Sequence, residues 1–142
     1  MNKMRLEFLS RSDNERFART VAAAFMLELD PTVEQLSEVK TAISEAVTNA
    51  VIHGYNGSEG IIVLEGMLDK STVKFSVIDY GMGIKDIEKA REPLYSGKPE
   101  MERSGMGFTI MEAFMDSIEV ESAPGKGTRV TMTKTVEAED EG

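Results

Sequence analysis

Between Ile61 and Asp79 the chain runs through two β-type stretches, Ile61 to Leu68 and Thr72 to Asp79, with a turn at Asp69-Lys70 between them. A connection this short folds the second strand back beside the first, because parallel neighbours need a crossover of a dozen or more residues. The end of the chain repeats the constraint. Ser117 to Ser122 and Thr128 to Thr135 flank the turn residues Pro124-Gly125-Lys126-Gly127. Strands that arrive as hairpins exclude a doubly wound parallel sheet.

Toward the N-terminus, Met4, Leu6, Phe8 and Ser10 alternate with Arg5, Glu7 and Leu9, the period of a short first strand. Ser12 or Asp13 can cap a helix that carries Phe17, Val21, Ala24, Phe25 and Leu29 at helical spacing. Asp30-Pro31-Thr32 ends it, since Pro31 cannot continue a helix and Thr32 can cap the next. That next helix runs from about Val33 to His53, with Leu36, Val39, Ile43, Val47 and Ala50 on one face. From Tyr80 to Gly107 the periodicity dissolves into a segment holding five glycines, Pro93 and Pro99, broken by a short helix near Ile87 to Arg91. A loop of this length in a compact domain is commonly functional. Phe108, Ile110, Met111, Phe114 and Met115 then predict a buried helix. The order β-α-α-β-β-loop-α-β-β predicts an α/β (α+β) two-layer sandwich, with a mixed, mostly antiparallel sheet covered on one face by helices. No repeat or linker interrupts it, so one domain over 1–136 is expected.

Charge and composition narrow the function. The 142 residues carry 16 Lys plus Arg against 25 Asp plus Glu, a net charge of −9, which disfavours direct binding to nucleic acid or an anionic membrane. Four acids (Glu137, Glu139, Asp140 and Glu141) lie in the last six residues; without them 21 acids face 16 bases, a net of −5. Residues 137–142 are therefore expected to be an acidic disordered tail. The absence of cysteine excludes disulfides, thiolate nucleophiles and Cys-ligated metal sites. Met1 to Ser10 has no apolar run of signal-peptide length, and the longest such run, Val21 to Leu27, is closed by Glu28. The expectation is a cytoplasmic protein.

Three glycine clusters sit at the ends of predicted elements: Asp79-Tyr80-Gly81-Met82-Gly83 after a strand, Gly105-Met106-Gly107 before a helix, and Gly125-Lys126-Gly127-Thr128 before the last strand. Glycine permits close backbone approach to a flat base or a phosphate. At Gly105 the free N–H groups of a helix start suit a phosphate, with Ser104 placed to cap the helix and Arg103 to meet a terminal phosphate. Any one cluster alone is more simply a turn, and neither the P-loop nor the dinucleotide fingerprint is present. On the long helix, Glu45, Asn49 and His53 recur at intervals of four, forming one polar stripe. Such a stripe is either a solvated face or a general base set one turn from an amide oxygen able to bind Mg²⁺.

In combination, Glu45-x-x-x-Asn49-Ala50, Asp79-x-Gly81-x-Gly83, Gly105-x-Gly107 and Gly127-Thr128 resemble, in order, the boxes of the GHKL ATPase/kinase superfamily. Residues 44–55 and 102–112 are similar to those of the anti-sigma-F factors of spore-forming bacteria, and the likeness runs from Phe17 to about Lys134. The resemblance implies a Bergerat-type ATP-binding fold and an ATP-dependent protein serine/threonine kinase that also sequesters sigma-F. By the same resemblance Glu45 is the general base and Asn49 holds Mg²⁺ and the nucleotide. Asp79 accepts from the adenine amino group, Gly81 and Gly83 shape the base pocket, and Thr128 supports it. Arg103, Ser104, Gly105, Met106 and Gly107 surround the phosphates of ATP or ADP. Arg19 contacts sigma-F and the anti-anti-sigma protein whose serine is phosphorylated, and the first strand helps form a homodimer. Two readings stand beside this one: a stress-response switch kinase for another sigma factor, and a non-catalytic sigma-binding module clamped by ATP. No transducer or substrate domain follows, so the expected substrate is another protein. The sequence departs from the family pattern at Tyr80 and at Ser96-Gly97. His53, the sole histidine, is expected to be structural or to support a neighbour.

Overall fold

The computed structural model describes residues 1–92 and 107–136. Five strands, β1 (Asn2–Leu9), β2 (Ile61–Asp69), β3 (Thr72–Asp79), β4 (Ser117–Ala123) and β5 (Gly127–Thr135), form one sheet in the order β1-β2-β3-β5-β4. Every pairing in it is antiparallel, as the hairpin argument requires, so the sheet is not mixed. The first hairpin turns one residue later than expected. Asp69 pairs with Thr72, which leaves Lys70 and Ser71 in the turn, with Lys70 at φ +56°.

Helices α1 (Asn14–Phe25), α2 (Val33–Asn49) and α4 (Gly107–Phe114) contribute to the core with the sheet, while α3 (Ile87–Ala90) is a single turn with no buried residue. Alternate residues of the central strands, Ile62, Leu64 and Leu68 on β2 and Val73, Phe75 and Val77 on β3, fill that core against Val39, Ala42, Ile43, Ala46 and Val47 of α2. The Phe25 ring meets Phe75 edge-on at 6.1 Å between centroids. Helix α2 begins in a full capping box: the Thr32 hydroxyl accepts from the Gln35 N–H, and the Gln35 side chain accepts from the Thr32 N–H. Asp13 stands at the start of α1 but makes no cap; its carboxylate pairs with Arg11.

The inward face of α1 also differs from expectation. Ala18, Ala22 and Met26 are fully buried, whereas Phe17 is 51% exposed and Ala24 is exposed. Both stripes have helical period. The alanine stripe lies inward, where α1 packs on α2, because small side chains allow the two backbones a close approach. On the helix-free side of the sheet Glu65 joins Arg5 at 2.8 Å and Arg129 at 3.1 Å. At the far end of α4, Lys134 donates to the Phe114 carbonyl at 2.5 Å and pairs with Glu38 of α2 at 3.2 Å. This buried cation ties β5, α4 and α2 together.

Candidate functional site

Helix α2 does not run regularly to His53. After Asn49 the chain widens into one i→i+5 turn, Ala50–Gly54, closed by a bond from the Tyr55 N–H to the Ala50 carbonyl at 3.0 Å. Turns of this kind arise where a helix takes in one extra residue and often stand at functional sites. Glu45 and Asn49 lie before it on the helix, and His53 lies on it.

The wide turn, the end of β3, the start of β5 and the start of α4 enclose a cleft of about 900 Å³. Asn49, His53, Gly54, Asp79, Gly83 and Thr128 are in its wall, together with Gly107 and Phe108. Gly107 shows how tightly α4 and α2 approach at one end of the cleft. A Cβ built there would lie 3.1 Å from Asn49 Nδ2, 3.3 Å from Asn49 Oδ1 and 3.4 Å from Glu45 Oε2. The first residue of α4 thus faces the two α2 side chains that the polar stripe singles out, within a methyl group's reach of them. A helix start presents free N–H groups and a positive dipole end, so this junction suits an anion.

At the end of β3, Asp79 is buried. Burial pushes its carboxyl above the ordinary carboxylate range, while backbone N–H groups of Gly81 (3.0 Å) and Thr128 pull it back. Asp79 and Thr128 are direct partners across β3 and β5, which explains why residues distant in sequence meet here. The glycines are needed for space. A Cβ on Gly81 would fall 1.9 Å from the Gly54 carbonyl oxygen. Gly83, at φ +76°, would place one 2.0 Å from the Ala123 carbonyl oxygen. Tyr80, the departure from the family pattern, sends its phenol away from the cleft to Arg5.

Of the expected site residues, the fold brings Asn49, Asp79, Gly83, Gly107 and Thr128 into the wall of this one cleft; Glu45 and Gly81 are not in the wall, Glu45 lying behind it near Gly107 and Gly81 against Gly54. Arg103, Ser104, Gly105 and Met106 lie outside the described residues, as do Ser96-Gly97 and the tail 137–142. Arg19 is not in the cleft wall; it sits on α1 and pairs with Glu15 at 3.2 Å. Residue patterns do not single out Ser122. Its hydroxyl accepts from the Ile84 N–H (2.7 Å), donates to the Gly127 carbonyl (2.8 Å) and meets the Thr128 hydroxyl (2.8 Å). It fastens the segment after Gly83 to both strands of the last hairpin, and nothing local in the sequence marks it.

Residues 8–134 match the family model described as the histidine kinase-like ATPase domain, which sets the class: an ATP-binding domain of GHKL type. The chain is 56% identical over 134 residues to the anti-sigma F factor of Clostridium perfringens strain SM101, covering 94% of this chain and 96% of that one. It is also 56% identical over 135 residues to the anti-sigma F factor of Thermoanaerobacter sp. strain X514, covering 95% and 94%. The fold is shared with the crystal structure of the RsbU and RsbW domains of a Mycobacterium tuberculosis protein. There the TM-score is 0.67 and the identity 22%, over 96% of this chain and 32% of the other. The chain belongs to the family of anti-sigma F factors. Among the described residues no helix is long and apolar enough to cross a membrane.

Proposed function

We propose that this protein is a serine kinase that binds and sequesters sigma-F in an ATP- or ADP-dependent way, and that inactivates its anti-anti-sigma antagonist by phosphorylating a serine. The observation that carries the reading is that Gly107 shares the cleft wall with Asn49 and Asp79 and lies so near α2 that a Cβ on it would come 3.1 Å from Asn49 and 3.4 Å from Glu45. The Asp79 carboxylate would accept from the adenine amino group, leaving the phosphates directed toward α4. The substrate serine would enter beside Glu45, which takes the hydroxyl proton as the serine oxygen bonds to the γ-phosphorus. The bond from that phosphorus to the β,γ-bridging oxygen breaks, and ADP is the leaving group.

Among the described residues no three His, Asp or Glu side chains gather as a metal cluster. The donor available at the phosphate end is the neutral amide oxygen of Asn49, which fits Mg²⁺, an ion that keeps most of its sites for water and phosphate oxygens. Bound there, Mg²⁺ would neutralise charge on the β- and γ-phosphates. Protein partners would meet α1, where Arg19 stands near the exposed Phe17. Strand β1, at the sheet edge, is available to a second copy of the chain. The test is incubation with γ-labelled ATP, sigma-F and a candidate antagonist. Label on an antagonist serine, with sigma-F released from the protein, is the expected result. Sigma-F retention with no label on the antagonist would instead favour a non-catalytic module.

A further inference from the structure

Residue Tyr55 carries no role in the phosphoryl-transfer scheme, yet it is tied closely to the base end of the cleft. Its ring lies against Gly60, where a Cβ would come within 2.3 Å of the ring edge. Its hydroxyl donates to the Ile61 carbonyl and accepts from the Tyr80 N–H at 2.8 Å. That N–H belongs to the peptide linking Asp79 to Tyr80. One residue before Tyr55, the Gly54 carbonyl accepts from the Met82 N–H at 2.7 Å. A Cβ on Gly54 would lie 2.7 Å from both the carboxyl carbon and Oδ1 of Asp79. The wide turn therefore grips the segment 79–82 at two backbone N–H groups, on either side of Gly81, and gives the Asp79 carboxylate one wall.

A regular helix could not do this. Each residue advances an α-helix by about 100°, so the extra residue in the Ala50–Gly54 turn rotates the chain beyond it by roughly that amount. This rotation puts Tyr55 over the start of β2 and turns the Gly54 carbonyl toward Met82. Burial raises the pKa of the Tyr55 phenol, and the charge of Asp79 adds to the rise, in keeping with their proximity.

We infer that Tyr55 and the wide turn Ala50–Gly54 are a positioning device for base selection: they hold the Asp79 carboxylate at the orientation that distinguishes a 6-amino purine from a 6-oxo purine. The inference rests on the reading of Asp79 as the adenine acceptor. Tyr55 touches no nucleotide in this scheme; it acts through the Asp79-Tyr80 peptide.

The experiment compares dissociation constants of ADP and inosine diphosphate for the full chain, wild type and two variants. Wild type is expected to prefer ADP. Tyr55→Phe removes one oxygen and two hydrogen bonds, and should cut that preference about fivefold by weakening ADP while leaving inosine diphosphate binding as it was. Gly54→Ala keeps the phenol but displaces the carboxylate, and should lower the same ratio independently. Unchanged inosine diphosphate binding also shows that Tyr55→Phe is folded. If Tyr55→Phe weakens both nucleotides by one factor, or neither, while wild type retains its preference, the positioning role is wrong and the adenine reading stands. If wild type itself does not distinguish the two nucleotides, the adenine reading of Asp79 fails and this inference goes with it.

Discussion

At the scale of single residues, two side chains divide the cleft between them. Asn49 lies in the cleft wall close to Gly107 at the head of α4, so its loss should affect both nucleotide binding and transfer. Asn49→Ala is expected to weaken ADP binding measured with Mg²⁺ present and to slow phosphorylation as well; a loss of transfer alone would remove the amide from the binding role. Asp79 makes a prediction about pH. Its raised pKa means that the folded protein holds this proton more tightly than the unfolded chain, so ionising the carboxyl costs stability. That cost is absent below the ordinary Asp value of 3.8 and complete above the raised native value. Asp79→Asn should therefore unfold at a higher temperature than wild type near neutral pH without nucleotide. The gap should close as pH falls toward 3.8, and ADP binding should be weakened throughout. Thermal unfolding across pH, with and without ADP, checks both statements. Glu45, Asn49 and Asp79 stand out in the sequence only in combination, through the four-residue spacing of Glu45 and Asn49 and the glycines that follow Asp79. Ser122 and Tyr55 do not, because each acts through bonds to backbone groups elsewhere in the chain.

Among the elements, α2 is the axis of the site: it carries Glu45 and Asn49, and its capping box fixes where it starts. Thr32→Ala should cost about 1 kcal/mol of stability, the usual effect of losing such a cap. The ADP dissociation constant should stay unchanged, since the cap is about four turns from the cleft. Denaturant unfolding combined with nucleotide titration measures both. The strands and their hairpins are readable from short turns and period-two patterning. The inward face of α1 is not, because Phe17-Val21 and Ala18-Ala22 satisfy the same period, and packing on α2 chooses between them. The widening of α2 is equally hidden, since an i→i+5 turn leaves no residue signature.

For the whole molecule, one antiparallel sheet with helices on one face delivers residues from positions 46 to 130 to a single cleft. None of the roles proposed for that cleft needs the acidic residues 137–142. Truncation after Val136 should leave both the unfolding temperature and ADP affinity unchanged; a fall in either would give the tail a part in folding or binding. The overall charge of −9, over half of it remaining once the tail is removed, suits a protein that acts on other proteins rather than on DNA.

Whether this cleft transfers phosphoryl groups with Glu45 as the base is decided by single-turnover transfer from labelled ATP to the antagonist. Glu45→Ala should slow transfer by about 100-fold or more, the usual contribution of a positioned general base, while binding ADP as wild type does. Transfer by Glu45→Ala at the wild-type rate would mean that Glu45 is not the base.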